Sequence, residues 1–363
     1  MGIQKLPKLL EDYKIDGILI SSVPNIIYLT GYSGFSYLER EAFLLVTQKQ
    51  KFLITDGRYK EAVSKIPGFK LIEISFKNPL DKIFENLSKK IKRLAMEEYD
   101  LSVNEYRKLK KYFLLKSLEE LKNLRIIKNK DEILKIEKAA RIGDLAFNFI
   151  LKKIKAGVSE KKIAYELEIF IKRKGADIAF PPIVAFGRNS AIPHHKTNNE
   201  KLRTNNIVLL DFGVKLENYC SDMTRTVFFG KANDKFKKMY QTVLTAQKLT
   251  IEQLNNLTMN GKWKIRKWNI KAFDIDKIAR NYIIKQGFPT IPHSLGHGIG
   301  IEVHEGPRLS PKSKDILKPS MVFSIEPGIY IPGYGGVRIE DLVVLEKNGL
   351  RLLTHSPKNL IEI

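Results

Sequence analysis

The residues of this chain that could do chemistry together are acidic and histidine side chains in its second half. Asp211 ends an apolar run at residues 207–210, and Asp222 precedes a second run, Met223–Phe229. Two carboxylates held side by side on rigid neighbouring strands repel each other unless a proton or a cation lies between them. Taken alone, however, the two aspartates are equally well explained as solvated turn residues.

Histidines and glutamates further along the chain add ligand candidates. His297 is flanked by Gly296 and Gly298, whose missing side chains let backbone or substrate come close. Glu326 and Glu340 each follow an apolar run, and a carboxylate buried in such a strand needs a partner. Oxygen ligands with one imidazole suit a pair of Mn²⁺ or Co²⁺ ions. The candidate ligands are Asp211, Asp222, His297, Glu326 and Glu340.

The elements that would position these side chains are pairs of strands. The runs that contain Asp211 and adjoin Asp222 are separated by a short polar break with Glu217 and Asn218, which predicts an antiparallel hairpin. Such pairing would bring the two aspartates side by side. The two apolar runs that carry the glutamates predict another strand, loop and strand.

Helices with apolar periodicity surround these strands. Ser159 caps one that ends at Gly175, and two more are predicted around residues 236–249 and 275–285. Residues 180–195 are too rich in proline and in residues with special dihedral angles for regular structure. They are expected to form a loop, packed against the core, that carries His194 and His195, and no role is predicted for His195.

The first 120 or so residues alternate strands with helices and predict a small α/β unit. Strands are predicted at 17–20, 42–47, 52–55 and 93–96, with a helix at 80–92 and another opened by a Ser102–Glu105 capping box. Its role would be scaffold, dimer contact or partial cover of a cleft. A boundary near 124–131 divides the chain into domains at residues 1–124 and 131–363. The predicted fold class is a two-domain α/β protein.

Composition is that of a globular protein. The 363 residues are 43% hydrophobic and 28% charged. One cysteine, Cys220, excludes an internal disulfide framework and favours a reducing, cytoplasmic location. Neither a signal peptide nor a membrane span is expected, because no apolar run is long enough.

The net charge of +23 raises the question of a polyanion partner. The lysines alternate with glutamates over nearly every predicted helix, which favours solvated helix faces over a nucleic-acid site. Residues 259–271 interleave Trp263 and Trp268 with basic residues, a pattern that can stack on single-stranded nucleic acid. An exposed hairpin beginning near Asn260-Gly261 is the favoured interpretation.

Four motifs together resemble the metallopeptidases of the methionine aminopeptidase, aminopeptidase P and prolidase class. They are DFG followed by SDMTRT, HSLGHGIGIEVHEGP, SIEPGIY and GVRIED. NIIYLTGYSG and FLITDGRY resemble the creatinase-type N-terminal domain. The resemblance covers nearly the whole chain and implies a small creatinase-like domain followed by a catalytic domain with the pita-bread fold. The chain departs from the pattern at residues 259–271, where relatives have a brief turn.

Carried over by position, the resemblance implies a site for two divalent ions, with Mn²⁺ expected first and Co²⁺ or Zn²⁺ as alternatives. Asp222 and Glu340 would bridge the two ions. Asp211 would complete one site, and His297 with Glu326 the other. All five residues are present.

The resemblance also implies the roles of neighbouring side chains. Glu326 would take a proton from the attacking water and pass it to the leaving nitrogen. His304 would donate to the carbonyl oxygen as charge develops there. His194 and His293 would line the substrate cleft, and His194 is also expected to take part in catalysis. Arg338 would either fix neighbouring carboxylates or meet a substrate carboxylate.

The expected function is a metal-dependent exopeptidase that cleaves the Xaa-Pro bond at the N-terminus of peptides. A prolidase restricted to Xaa-Pro dipeptides is the alternative, but it needs a cation for the free carboxylate, for which Arg188 and Arg308 are the nearest candidates in sequence. A non-catalytic or nucleic-acid-associated protein on the same fold is the alternative from another class. The expected partners are proline-containing peptides and a second copy in a homodimer.

Overall fold

The structure, a computed structural model, describes residues 2–259 and 269–363. The chain forms two compact units, Met1–Arg125 and Ile126–Ile363. Each contains helices and strands, as expected of an α/β protein. The predicted hairpin at residues 259–271, with Trp263 and Trp268, lies for the most part outside the described residues.

The first unit is organised around a six-stranded sheet in the order β4-β3-β2-β1-β5-β6. β1 is antiparallel to β2 and parallel to β5, so the sheet is mixed. The strands are β1 (Gly17–Ile20), β2 (Ala42–Val46), β3 (Lys51–Asp56), β4 (Lys70–Ile74), β5 (Arg93–Met96) and β6 (Leu114–Ser117). The helices are α1 (Leu6–Asp12), α2 (Val23–Thr30), α3 (Lys60–Ser64), α4 (Leu80–Ser88) and α5 (Val103–Leu109), with 3-10 turns at Gly2–Lys5 and Glu119–Leu121. The capping box of Ser102 and Glu105 opens α5 as predicted.

The second unit consists of antiparallel sheets and four long helices in its described part. The helices are α6 (Lys130–Leu151), α7 (Glu160–Arg173), α8 (Asp234–Met259) and α9 (Ala272–Lys285), with a 3-10 turn at Gly187–Ala191. The first strands are β7 (Asp177–Ile178), β8 (Ile183–Phe186), β9 (Asn206–Phe212), β10 (Val214–Leu216), β11 (Tyr219–Cys220) and β12 (Met223–Phe229). The later strands are β13 (Ile270–Lys271), β14 (Gly296–Gly298), β15 (Glu305–Leu309), β16 (Ile316–Leu317), β17 (Val322–Ile325), β18 (Gly328–Ile331), β19 (Gly335–Arg338), β20 (Asp341–Glu346) and β21 (Gly349–Leu352).

Two hydrophobic clusters hold this unit together. One packs α6 and α7 against the three-stranded sheet β12-β9-β8. The other packs α8 and α9 against the five-stranded sheet β15-β14-β17-β20-β21. Side chains alternate between the faces of a strand, so residues next to these core positions point away from the helices. Asp211, between the core residues Leu210 and Phe212 on β9, occupies such a position.

Three elements differ from the sequence prediction. Residues 180–195 contain β8, which pairs with β9 and buries Val184, so the prediction of an irregular segment is wrong there. The two prolines before β8 suggested a loop, but they precede the strand and leave its hydrogen bonds intact. α8 runs to Met259, ten residues beyond the predicted end, since its apolar face continues through Leu254. α4 ends at Ser88 rather than near residue 92.

None of the helices among the described residues is both long enough and apolar enough to cross a membrane.

Candidate metal centre and active site

The hairpin that carries the two aspartates is present, with a second hairpin inside it. β9 pairs with β12, and the intervening β10 and β11 pair with each other across Glu217 and Asn218, whose φ angles of 48° and 70° close the turn. Thr224, rather than Asp222, is the cross-strand neighbour of Asp211. Asp222 lies just before β12. Both aspartates are buried, at 8% and 4% exposure.

His297 lies on β14, a short strand between β15 and β17. A Cβ atom on Gly296 would overlap the carbonyl oxygen of Ser324, and one on Gly298 would overlap that of Gly306, so both positions require glycine. His297 Nδ1 lies 3.1 Å from the Gly298 carbonyl oxygen and donates to it. Nε2 therefore presents its lone pair, the arrangement usual for a metal-ligating histidine.

Glu326 and Glu340 lie at one break in a two-stranded ribbon. β17 pairs with β20 as far as Ile325, and β18 pairs with β19 starting at Gly328. The glutamates occupy the unpaired positions on the two chains of the ribbon. The ribbon therefore places both carboxylates at the same position along its length.

Hydroxyl and backbone groups fix these two glutamates. Ser324 Oγ donates to Glu326 Oε1 at 3.1 Å, and Thr224 Oγ1 donates to Glu340 Oε2 at 2.7 Å. The Glu326 amide donates to Leu295 O at 2.8 Å, and the Glu340 amide donates to Thr224 O at 3.1 Å. Each glutamate is thus tied to a strand or loop that carries another candidate ligand.

Four of the five candidate ligands, all except Asp211, meet at one point. Ligand atoms of Asp222, His297 and Glu340 lie within 4.8 Å of one another. His297 Nε2 is 3.6 Å from Asp222 Oδ2 and 3.4 Å from Glu326 Oε1. Among the described residues, Asp222 Oδ1 and Glu340 Oε1 are buried without a hydrogen-bond partner. Buried oxygen atoms without donors, beside an imidazole lone pair, fit a divalent cation.

The electrostatics of this cluster also favour an added positive charge. Burial raises the pKa of Asp222 well above its ordinary value, and the charge of Glu340 adds to the shift. Burial and the charge of Asp211 raise the pKa of Glu340 to about 7. Burial and the charge of Glu340 raise the pKa of Glu326 well above its usual range. Burial and the neighbouring His304 lower the pKa of His297 to about 3, so its imidazole is neutral. Divalent cations would relieve the repulsion among the carboxylates.

Arg338 belongs to the support of this cluster. It is 4% exposed. Its Nη2 donates to Asp211 Oδ2 at 2.5 Å, its Nε to Thr224 Oγ1 at 3.0 Å and its Nη1 to Tyr330 Oη at 2.9 Å. Of the two predicted alternatives for Arg338, these contacts favour fixing a carboxylate over meeting a substrate.

His293 is joined to Arg338 through Tyr330. His293 Nδ1 lies 2.7 Å from the Ser294 carbonyl oxygen and donates to it, so Nε2 accepts from Tyr330 Oη at 2.8 Å. Burial and the charge of Arg338 lower the pKa of His293 to about 4, which agrees with a neutral ring. His293 Nδ1 is also 4.0 Å from Glu326 Oε2, at the edge of the ligand cluster.

The exposed edge of the cluster holds two further histidines and an arginine. The His304 ring packs edge-on against His297, with ring centroids 4.3 Å apart. Arg308 lies opposite His297 on β15, and its charge lowers the pKa values of both His297 and His304, after the larger effect of burial. His194 is exposed, and its charge affects the pKa values of Asp211 and His304.

His195, which the sequence left without a role, belongs to a buried hub around Glu160. Glu160 is fully buried, and its Oε2 lies 2.8 Å from His195 Nε2. The same carboxylate accepts from the Phe186 amide, Asn189 Nδ2 and the Asn198 amide at 2.8–3.0 Å. One side chain of α7 therefore fixes both ends of the segment that carries His194.

We expect Glu160→Gln to destabilise this segment. The amide brings two N–H groups to a place where the Phe186 amide, Asn189 Nδ2 and the Asn198 amide are already donors, and an unsatisfied buried group costs about 1–3 kcal/mol. Glu168→Gln on the same helix removes a surface ion pair with Lys172 and is the matched control, with an expected cost of about 0–1 kcal/mol. Denaturant unfolding and limited proteolysis at residues 187–198 measure both variants. Equal unfolding free energies for the two would contradict the role of Glu160.

Comparison with known proteins decides the family. A model of metallopeptidase family M24 matches residues 134–347, and a model of the creatinase/prolidase N-terminal domain matches residues 3–127. The chain belongs to metallopeptidase family M24. The creatinase-type N-terminal domain and the pita-bread catalytic domain expected from the sequence are both confirmed.

Similar M24 proteins match this chain over nearly its full length. The uncharacterised peptidase YqhT of Bacillus subtilis is 39% identical over 371 residues, which cover 99% of each chain. The solved structure of a Xaa-Pro dipeptidase from Bacillus anthracis is 35% identical, with a TM-score of 0.88, over 100% of this chain and 99% of that one. An X-Pro aminopeptidase from Thermotoga maritima is 34% identical, with a TM-score of 0.86, over 99% of each chain.

Enzymes of the M24 family use divalent metals, and the buried donor set of this chain fits such ions. Sequence reasoning missed several side chains that support the set. Tyr330 lies in SIEPGIY and Thr224 in SDMTRT, so both were within recognised motifs, but their contacts depend on strand register. Glu160 lies on a distant helix, where its only sequence signal was a polar residue beside a helix cap.

Proposed function

We propose that this M24 enzyme cleaves the Xaa-Pro bond at the N-terminus of peptides, as an Xaa-Pro aminopeptidase. The observation that carries the proposal is the convergence of Asp222, His297, Glu326 and Glu340, with Asp211 held next to them by Arg338. Similarity to proteins named Xaa-Pro dipeptidase and X-Pro aminopeptidase supports the choice of bond. Proline fits such specificity because its tertiary amide and locked ring fill a pocket that other residues do not.

Two divalent cations, Mn²⁺ first among them, would be held by Asp211, Asp222, His297, Glu326 and Glu340. When bound, they would polarise the scissile carbonyl and make water a stronger nucleophile near neutral pH. Asp222 and Glu340 would be shared between the ions, since each has a buried oxygen without a hydrogen-bond partner among the described residues.

The protein's own side chains would move the protons. Glu326 would accept the proton of the attacking water and pass it to the leaving proline nitrogen, because its carboxylate faces the centre of the cluster. His304 is exposed beside His297 and would donate an N–H to the carbonyl oxygen as negative charge develops. Burial, followed by the charges of His194 and Arg308, lowers the pKa of His304, so it would donate as a neutral ring. His194 and His293 would line the substrate cleft.

A dipeptide-restricted prolidase is the second candidate, and Arg308 favours it. Its guanidinium lies close enough to His297 and His304 to alter their pKa values, and its Nε donates to Ser294 Oγ at 3.1 Å. An arginine there could bind the free carboxylate of an Xaa-Pro dipeptide. An enzyme that accepts longer peptides leaves that end of the cleft open.

Substrate length separates the two candidates. We expect Mn²⁺-loaded protein to cleave Xaa-Pro-Xaa tripeptides at least as well as Xaa-Pro dipeptides, with Xaa-Ala peptides as the negative control. If instead Arg308 binds the dipeptide carboxylate, Arg308→Ala should raise the dipeptide KM about tenfold or more, because a hydrogen bond to a charged group contributes about 1.5–3 kcal/mol. Lys312→Ala, an exposed cation nearby in sequence, is the control. Activity confined to dipeptides would make the prolidase correct.

A further inference from the structure

The ribbon that carries Glu326 and Glu340 lacks backbone pairing at these two residues. Its last paired residue on one side is Ile325, and the residues opposite the break are Ile339 and Glu340. Within the break, the Ile339 amide reaches Pro327 O only at 3.4 Å. The ladder alone therefore fixes the separation of the two glutamates weakly.

A side chain from α8 joins the two edges of this break. Gln247 is fully buried. Its Nε2 donates to Ile325 O at 3.2 Å and to Ile339 O at 3.3 Å, so each hydrogen of one amide group reaches one chain of the ribbon. Ile325 and Ile339 are the residues immediately before the two glutamates.

Gln247 is a polar residue among buried apolar residues of α8. Val243, Leu244 and Ala246 on the same helix are buried in the hydrophobic cluster. Gln247 Oε1 is buried, and no described residue donates to it. A buried amide oxygen without a donor is unfavourable, and an apolar residue would avoid that cost. The two donated hydrogen bonds are thus the contribution that an apolar residue at this position cannot supply.

We propose that Gln247 is a positioning residue, which sets the distance between Glu326 and Glu340 by holding the two carbonyl groups that precede them. The inference rests on the proposed metal site, because the two glutamates need a fixed separation only if both bind the same metal centre. Among the described residues, the hydrogen bonds of Gln247 go to backbone carbonyl groups of the ribbon rather than to the ligand side chains. Its effect on metal affinity would be that of the outer-shell partners of metal ligands.

The test replaces Gln247 by methionine, which keeps the length of the side chain and removes both hydrogens. We expect the dissociation constant for Mn²⁺, measured by calorimetric titration of metal-free protein, to rise about 10–100-fold. The rise in melting temperature on adding Mn²⁺ should shrink accordingly. Thr250→Val is the matched control, since Thr250 is buried on the same helix but its hydroxyl donates to Ala246 O within the helix. We expect this control to bind Mn²⁺ like the wild type.

The outcomes are distinguishable. If Gln247→Met and Thr250→Val bind Mn²⁺ as tightly as the wild type, Gln247 only satisfies backbone groups and the inference is wrong while the proposed function stands. If the wild type binds no divalent cation, the proposed function fails and the inference fails with it. Should Gln247→Met not fold, Gln247→Leu also removes both hydrogens and suits the surrounding apolar cluster. Metal affinity equal to wild type in a folded Gln247→Leu variant would also overturn the inference.

Discussion

Replacing Asp222 by alanine should abolish peptidase activity and remove most of the bound metal. The carboxylate lies among His297, Glu326 and Glu340, and burial together with the charges of Glu340 and Asp211 raises its pKa. Its Oδ1 is buried with no hydrogen-bond partner in the described part of the chain. The group is therefore unfavourable in the metal-free protein and is stabilised by a cation. Loss of a shared ligand should weaken metal affinity at least about a hundredfold, more than loss of an outer-shell partner.

The same argument predicts the thermal stability of the metal-free variant. Removing Asp222 takes away one buried like charge and no described hydrogen bond, so metal-free Asp222→Ala should melt no lower than the metal-free wild type. Added Mn²⁺ should then raise the melting temperature of the wild type and leave that of the variant almost unchanged. Glu340→Ala should lose metal similarly, and Asp274→Asn, an exposed carboxylate on α9, should not. Two ions per chain in either alanine variant would refute a shared role for these carboxylates.

The candidate ligands were predictable from the sequence because they share a pattern that strands impose. Asp211, Glu326 and Glu340 each follow apolar residues that had to be buried, so their carboxylates had to lie at the end of a buried strand. The glycines beside His297 indicated close backbone contact, and the structure has that contact on both sides of the histidine. Residue types and spacing carried this information without knowledge of the pairing.

What the sequence could not supply was register and distance. The hairpin predicted Asp211 beside Asp222, but the pairing sets Asp211 opposite Thr224, because β10 and β11 occupy the break. Partners such as Gln247 are separated by tens of residues from the groups they bind, and local periodicity treats such a residue as an ordinary polar position on a helix. β8 was missed for the opposite reason, since local proline content outweighed the apolar run that tertiary packing uses.

Glu326 occupies the position in the cluster from which a proton could be transferred. Its Oε1 accepts from Ser324 Oγ at 3.1 Å and lies 3.4 Å from His297 Nε2, while its Oε2 is 4.0 Å from His293 Nδ1. The carboxylate therefore has one oxygen held by the protein and another towards the edge of the cluster. An oxygen in that position can bind a cation and also exchange a proton with water or with the leaving nitrogen.

Glu326→Gln separates cation binding from proton transfer. The amide keeps a carbonyl oxygen of the same reach, so metal content and KM for an Xaa-Pro substrate should stay near the wild-type values. It cannot accept a proton near neutral pH, so kcat should fall about 10²–10⁴-fold, the usual contribution of a general base. Glu346→Gln, an exposed carboxylate at the end of β20, is the control and should keep full activity. Metal content and steady-state kinetics on the same preparations decide the matter. Wild-type kcat with full metal content would exclude Glu326 as the base, whereas parallel loss of metal and activity would assign it to metal binding alone.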